Sequence, residues 1–100
     1  MFDKVPALPP EQPGDDRYRT PRLPVRVDLA RAFAYPVPEQ RGTFPEGWAM
    51  DAVVDGELIC WRRDVHRRWW GEVRFRVRRG RGSGGVWHTW WLPAPAIRPG

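Results

Sequence analysis

Residues 72–78, Glu-Val-Arg-Phe-Arg-Val-Arg, alternate charged and apolar side chains without a break. A β-strand turns successive side chains to opposite faces. Val73, Phe75 and Val77 are therefore expected to face a core, and Arg74, Arg76 and Arg78 to face water. The wider window, residues 62–81, holds nine arginines, two adjacent tryptophans and two acidic residues. Its reading is a cationic ribbon on a small sheet.

One hundred residues allow one domain, and nine of the twelve prolines fall in the first 45 positions. Proline fixes φ and has no N–H, so that density argues against helix or central strand. The packed region is expected over residues 46–100. A domain near that size buries only about 60% of its unfolded surface and needs large core residues. All seven tryptophans lie from Trp48 onward and answer that need, with three or four indoles expected in the core. The +5 net charge is equally uneven. Residues 1–47 carry seven bases and seven acids, whereas residues 48–100 carry ten arginines against five acids. Arginine, proline, glycine, alanine and tryptophan all have GC-rich codons, so placement carries more weight here than raw counts. The single cysteine, Cys60, excludes an internal disulfide and a cysteine-based zinc site. The opening residues show no signal-peptide pattern, and no apolar run approaches the ~20 residues of a membrane span. A cytoplasmic protein is expected.

Along the chain, residues 1–24 read as a proline-rich extended tail and residues 25–45 as an arm with a short helix. Asp28 is a candidate cap for that helix, which would run from Leu29 to Tyr35 and stop at Pro36. Its inner face would carry Leu29, Ala32 and Phe33. Val25, Val27 and Leu29 fit a short strand equally well. From Trp48 to Val54 the period is two, and Asp55-Gly56 signals a tight turn before a second strand over residues 57–61. Residues 64–67 make a polar connection. Residues 69–78 form the longest strand, with Gly71 a candidate bulge. Residues 80–85 are a glycine-rich loop, and residues 86–92 a fourth strand. Pro93-Ala94-Pro95-Ala96 suits a 3₁₀ turn before a fifth short strand at Ile97-Arg98.

Four or five short antiparallel strands within about 50 residues describe a small all-β barrel. Arg68-Trp69-Trp70-Gly71-Glu72-Val73 resembles the Trp-led middle strand of the SH3-like and Tudor-like small barrels. Residues 73–77 are similar to the following Tudor-type strand. Trp91-Leu92-Pro93-Ala94-Pro95-Ala96-Ile97-Arg98-Pro99 resembles the last strand, 3₁₀ turn and closing strand of those folds. The resemblance implies a closed barrel over residues 46–100. It also implies a binding module, because such barrels bind peptides, methylated side chains, RNA and DNA alike. The acidic loop and Tyr-rich opening strand of the proline-motif binders are not present here.

The candidate site is the arginine ribbon. Arg74, Arg76 and Arg78 stand ~6.5–7 Å apart along one face, suited to holding phosphates without sequence specificity. Arg63, Arg67 and Arg68 extend the patch with Arg62, and Arg81 lies in the loop that would close over it. If Trp69 faces inward with Val73, Trp70 stands outward beside Arg74 and Arg76 as a base-stacking indole. The competing account is a solvated strand face, with arginine stems covering tryptophan and Trp70 packed for stability. A single Arg-Gly stretch, residues 78–85, is also explained as a hairpin tip. Pro21-Arg22-Leu23-Pro24-Val25-Arg26 matches a proline-motif ligand pattern that arises readily in such a tail.

Catalysis finds little support. Cys60 lies in an apolar run, and neither His66 nor His88 has an orienting partner in sequence. No phosphate-cradling Gly-Lys motif occurs. The expectation is a non-enzymatic module without metal, cofactor, membrane contact or small-molecule substrate. Its favoured partner is nucleic acid, held in a salt-sensitive manner. The alternative is an acidic protein surface met by the same patch, and a third reading is a subunit that pairs with itself through exposed indoles.

Overall fold

The structure is a computed structural model and describes residues 16–34, 42–82 and 84–100. Five strands form one antiparallel sheet: β1 (Arg17–Asp28), β2 (Val53–Arg63), β3 (Trp69–Arg78), β4 (Gly85–Pro93) and β5 (Ile97–Pro99). A one-turn helix α1 (Leu29–Ala32) follows β1, and a 3₁₀ turn (Ala94–Ala96) joins β4 to β5. The strand order is β4-β3-β2-β1-β5. Among the described residues no helix is long and apolar enough to cross a membrane.

The all-β class agrees with the sequence, but the sheet is open rather than a closed barrel. β5 has only three residues and pairs with β1 through Val25↔Pro99, Arg26↔Arg98 and Val27↔Ile97. No described residue pairs with the far side of β4, so the ring is not completed.

The sheet also starts earlier than the proline count suggests. Residues 17–28, expected as the end of a tail and the start of an arm, form a twelve-residue strand between β2 and β5. Pro21 lies where the β1–β2 register shifts, between Tyr18 and Leu23. Pro24 lies beyond the three positions paired with β5, where a missing N–H interrupts no β1–β5 pair. Both readings of residues 25–35 hold in sequence: Val25 and Val27 end the strand, then Asp28 caps α1. The Asp28 carboxylate accepts from Arg31 N at 3.3 Å and from Arg98 at 2.7 Å, tying α1 to β5. The helix stops at Ala32; Tyr35 lies outside the described residues, as does the tail up to residue 15.

Two glycines do different work from that expected. Asp55-Gly56 is no turn, because residues 53–63 run straight through as β2. Gly56 sits between Val25 on β1 and Phe75 on β3. A Cβ there would lie 2.9 Å from Val73 Cγ1 and 3.2 Å from Val27 Cγ2, so the residue is small because its neighbours converge on it. Nor does a bulge form at Gly71, which pairs regularly with Trp61 and Leu92. The irregularity lies across from it in β2, between Leu58 and Cys60. Residues 49–52 are not strand; Trp48 makes one isolated bridge to Arg79.

Alternation in β3 sorts as expected. Val73, Phe75 and Val77 are buried, and they join Val25, Val27, Leu29, Leu58, Trp61, Leu92 and Ile97 in one core. Only Trp61 among the indoles is fully buried, with Trp69 half-buried against the same cluster. Trp48, Trp87, Trp90 and Trp91 are exposed. An open sheet covers one face only along a fraction of its width, so it seats fewer indoles than a closed one.

Gly71 is the tightest point of that core. A Cβ there would overlap Ile97 Cδ1 and lie 3.1 Å from Leu58 Cδ1. Gly71→Ala is expected to lower stability by about 1–3 kcal/mol, the usual cost of overpacking. Urea denaturation at unchanged m-value checks this; an unchanged midpoint would refute it.

Candidate binding face

Register decides which side chains share the outward face. On β3 the outward residues are Trp70, Glu72, Arg74 and Arg76, and their partners on β4 are Pro93, Trp91, Thr89 and Trp87. On the β2 side, Arg62 lies opposite Trp70 and Glu57 opposite Arg74. Two cross-strand clusters result, each reaching diagonally to a β4 indole.

The first cluster holds Arg74. Its guanidinium lies 4.0 Å over the Trp87 ring and 3.8 Å from a Glu57 oxygen. Arg76 approaches the same indole at 5.9 Å, and its Nε is covered without a hydrogen-bond partner. Arg78 is exposed at the strand end. Among the described residues no carboxylate pairs with Arg76 or Arg78, so the charge of these two is not neutralised within the face.

The second cluster centres on Arg62. One terminal nitrogen donates to Glu72 at 2.8 Å and to the Tyr18 hydroxyl at 3.2 Å, while the other pairs with Asp16. These bonds, the one to Glu72 foremost, raise a pKa that is already high. Held on both sides, the guanidinium lies 4.8 Å over Trp91. Cys60, beneath this group, is fully buried, and burial pushes its thiol pKa up. It acts as a small core residue.

Trp70 is half-buried and less open than a stacking platform requires. Its indole N–H donates to Asp64 Oδ2 at 2.9 Å. The other carboxylate oxygen of Asp64 accepts from the backbone N–H groups of His66 and Arg68, at 2.8 and 2.9 Å. One carboxylate thus organises the whole β2–β3 turn, where Arg67 takes a φ of 64°. Trp70, Trp91, Thr89, Arg62 and Asp64 line an open cleft of about 570 Å³ that Arg63 and Trp90 also border, within the usual size for a small-ligand site.

Of the arginines expected to bind, the structure gathers Arg74, Arg76 and Arg78 on one face. Arg67 and Arg68 are exposed in the turn at the far end of β3. Arg63 lies one residue from Arg62 and so on the opposite face, 5.3 Å over Trp69. Arg81 lies 3.4 Å from Glu46, away from the ribbon. Trp87 and Trp91, 50% and 53% exposed, are the open indoles of this face, and neither stood out in the sequence. Their alternation was visible as Trp87-His88-Thr89-Trp90-Trp91, but an apolar residue at every second position on both faces hid it. Among the described residues no cluster of three potential metal ligands occurs.

Set against known protein families, characterised proteins and solved structures, the chain matches none.

Hydrogen bonds from the Trp70 indole first, then from the Arg68 backbone, hold the Asp64 carboxyl below its usual range. Its folded-state pKa is depressed, so the stability it contributes is present above the unfolded value near ~3.9. That contribution is lost as pH falls through the folded value. Asp64→Asn is expected to destabilise the protein at neutral pH and to flatten the acid limb of its stability profile. Tryptophan emission should also change, because one amide oxygen cannot accept from both the Trp70 indole and the backbone N–H groups of the turn, as the two carboxylate oxygens do. An unaltered acid limb would show that the carboxylate does not anchor the turn.

Proposed function

We propose that the outward face is a binding surface for single-stranded nucleic acid. The observation that carries this reading is that two half-exposed indoles share one face with the arginine ribbon, Trp87 beside Arg76 and Trp91 under Arg62. Aromatic faces stack bases regardless of sequence, and the cations hold the backbone. Trp87 and Trp91 take the stacking role, in place of the half-buried Trp70. Arg76 and Arg78 take phosphates. Arg74 contributes less charge because Glu57 is near, and it serves to hold Trp87 flat. The cleft between Trp70 and Trp91, at about 570 Å³, has room for a base and its sugar-phosphate. The strand order, with a 3₁₀ turn leading into a short β5 beside β1, supports reading the sheet as an opened SH3-like or Tudor-like one.

A protein partner is the second reading. The inward side of the sheet has an apolar groove of about 460 Å³ lined by Phe33, Trp48, Val86 and Trp90, which base stacking on the outward face does not use. An acidic protein would meet the arginines through charge alone.

An oligonucleotide titration at two salt concentrations separates these. Each single-strand phosphate contact contributes a slope of about −0.7 in log affinity against log salt. Arg76→Glu with Arg78→Glu is expected to shallow the slope by roughly 1.4 and to weaken binding at least tenfold. Trp87→Ala should cost ~1–3 kcal/mol and most of the indole quenching. Polyglutamate of matched charge should quench little. Equal quenching by polyglutamate, or full affinity in the double variant, would reject the nucleic-acid reading.

A further inference from the structure

β4 is an edge strand of an unguarded kind. Its nine residues pair with β3 in unbroken register from Trp70↔Pro93 to Arg78↔Gly85, so nothing bends it away from solvent. It carries no charged residue in a chain of net charge +5. Val86, Trp87, Trp90 and Trp91 are all exposed along it. Edges are ordinarily protected by lysine, proline, bulges or brevity. β5, at the opposite edge, has two of these protections: three residues in length and a proline at its end. β4 has none until Pro93.

We propose that two copies of this chain join edge to edge, β4 against β4, about a two-fold axis through Thr89. Three features select a second copy over a foreign strand. First, Thr89 is the central residue of Gly85–Pro93, so antiparallel self-pairing about it uses all nine positions. Any other centre leaves residues unpaired. Second, the register is chemically self-consistent. Trp87 meets the partner's Trp91, His88 meets the partner's Trp90, and Val86 meets the partner's Leu92. Pro93, lacking an N–H, falls opposite glycine. No like charges are opposed, although each copy is basic. Third, among the described residues β4 is open along its whole length, whereas the part of β1 that β5 leaves uncovered carries Pro21 and Pro24, and a two-fold contact satisfies β4 on both copies at once. Joining β4 to β5 would instead propagate into a filament, which the short, proline-ended β5 disfavours.

The surface supports it too. Trp87, Trp90 and Trp91 are between 50% and 63% exposed, so together they offer on the order of 300 Å² per chain before any backbone is included. A standard interface takes ~800 Å² from each partner. Arg74 and Arg62 already hold two of these indoles in place, so little side-chain freedom is lost on pairing. The two outward faces emerge on the same side of a continuous ten-stranded sheet, leaving Arg76 and Arg78 open. The inference does not rest on nucleic-acid binding.

The test is sedimentation of the full chain, freed of nucleic acid by nuclease and high salt, over a concentration series. The expected mass is twice that of the chain. Thr89→Lys places two ammonium groups across the axis and should weaken association at least tenfold. Thr89→Cys, close to threonine in size, should cross-link through a disulfide on mild oxidation, because directly opposed residues have Cβ atoms ~4.5–5.5 Å apart. Wild type, with Cys60 buried, should not cross-link, and Val86→Cys, opposed to leucine, should do so far more slowly. A monomer throughout the series overturns the proposal. So does a dimer that ignores Thr89→Lys or leaves Thr89→Cys uncross-linked. Oligonucleotide binding by a monomer would sink this inference while leaving the proposed function standing.

Discussion

Trp61, Gly71 and Ile97 meet on the inward side of the sheet, and the shape of the molecule depends on that meeting. They belong to β2, β3 and β5, and β5 is three positions from β3 in the strand order. A side chain on β5 can reach β3 only if the sheet curls strongly over its own concave face. The space for this comes from the missing Cβ at Gly71, where Ile97 Cδ1 and Trp61 Cζ3 converge. Gly56 makes similar room between Val27 and Val73, on the strands that flank it. Curling buries the centre of the sheet without closing it. The 3₁₀ turn then carries the chain from the β4 edge to the β1 edge, and Arg98 fastens that end to Asp28. β4 is left outside the curl. Its inward residues Val86, His88 and Trp90 border an open groove with Phe33, Trp48 and Met50, and His88 stacks on Phe75 at 5.8 Å.

The curl also explains why the outward face is ordered. A convex surface splays its side chains, so isolated guanidiniums there would move freely. Instead Arg62 is fixed by Glu72, Tyr18 and Asp16, and Arg74 is flanked by Glu57 and Trp87. Exposed ion pairs contribute little to stability singly. Cation–π contacts at the surface add about 0.5–1 kcal/mol each. Their larger effect is positional, since they lay two indoles flat against the sheet with one face open. Charge and stacking surface then occur together, although four carboxylates share the face. Among the described residues Arg76 and Arg78 have no carboxylate within ion-pair distance, the nearby Asp55 being paired with Arg26 at 3.1 Å.

Short-range information in the sequence was legible. The period of two in β3 placed Val73, Phe75 and Val77 inward; Asp28 marked the helix start, and Pro93-Ala94-Pro95-Ala96 marked the 3₁₀ turn and fifth strand. Each of these is set by neighbours within a few residues. What escaped was set by partners distant in sequence. β1 looked like a tail because proline counts are local, whereas tolerance of proline depends on which side of a strand is unpaired. Gly56 looked like a turn because Asp-Gly is a turn dipeptide, whereas here it is small for the sake of Val27 and Val73 on two other strands. Trp87 and Trp91 join the candidate site only through their register with Arg76 and Glu72. Arg63 leaves it because the step from Arg62 crosses the sheet.

The exposed indoles finally constrain function more than the arginines do. A basic strand face is stable in water alone, so it requires no partner. Trp87 and Trp91 on one side of β4 and Trp90 on the other are different, since contiguous apolar surface of this kind favours being covered. A ligand stacked on the outward face is centred on Trp87 and Trp91, whereas Trp90, although it also borders the cleft beside Trp91, is turned by β4 toward the concave groove. A single surface contact therefore leaves some of the strand bare. Pairing along the edge reaches both faces at once, because each added strand brings side chains above and below the sheet. The two proposed contacts are therefore compatible, because one runs along the backbone of β4 and the other across its outward indoles.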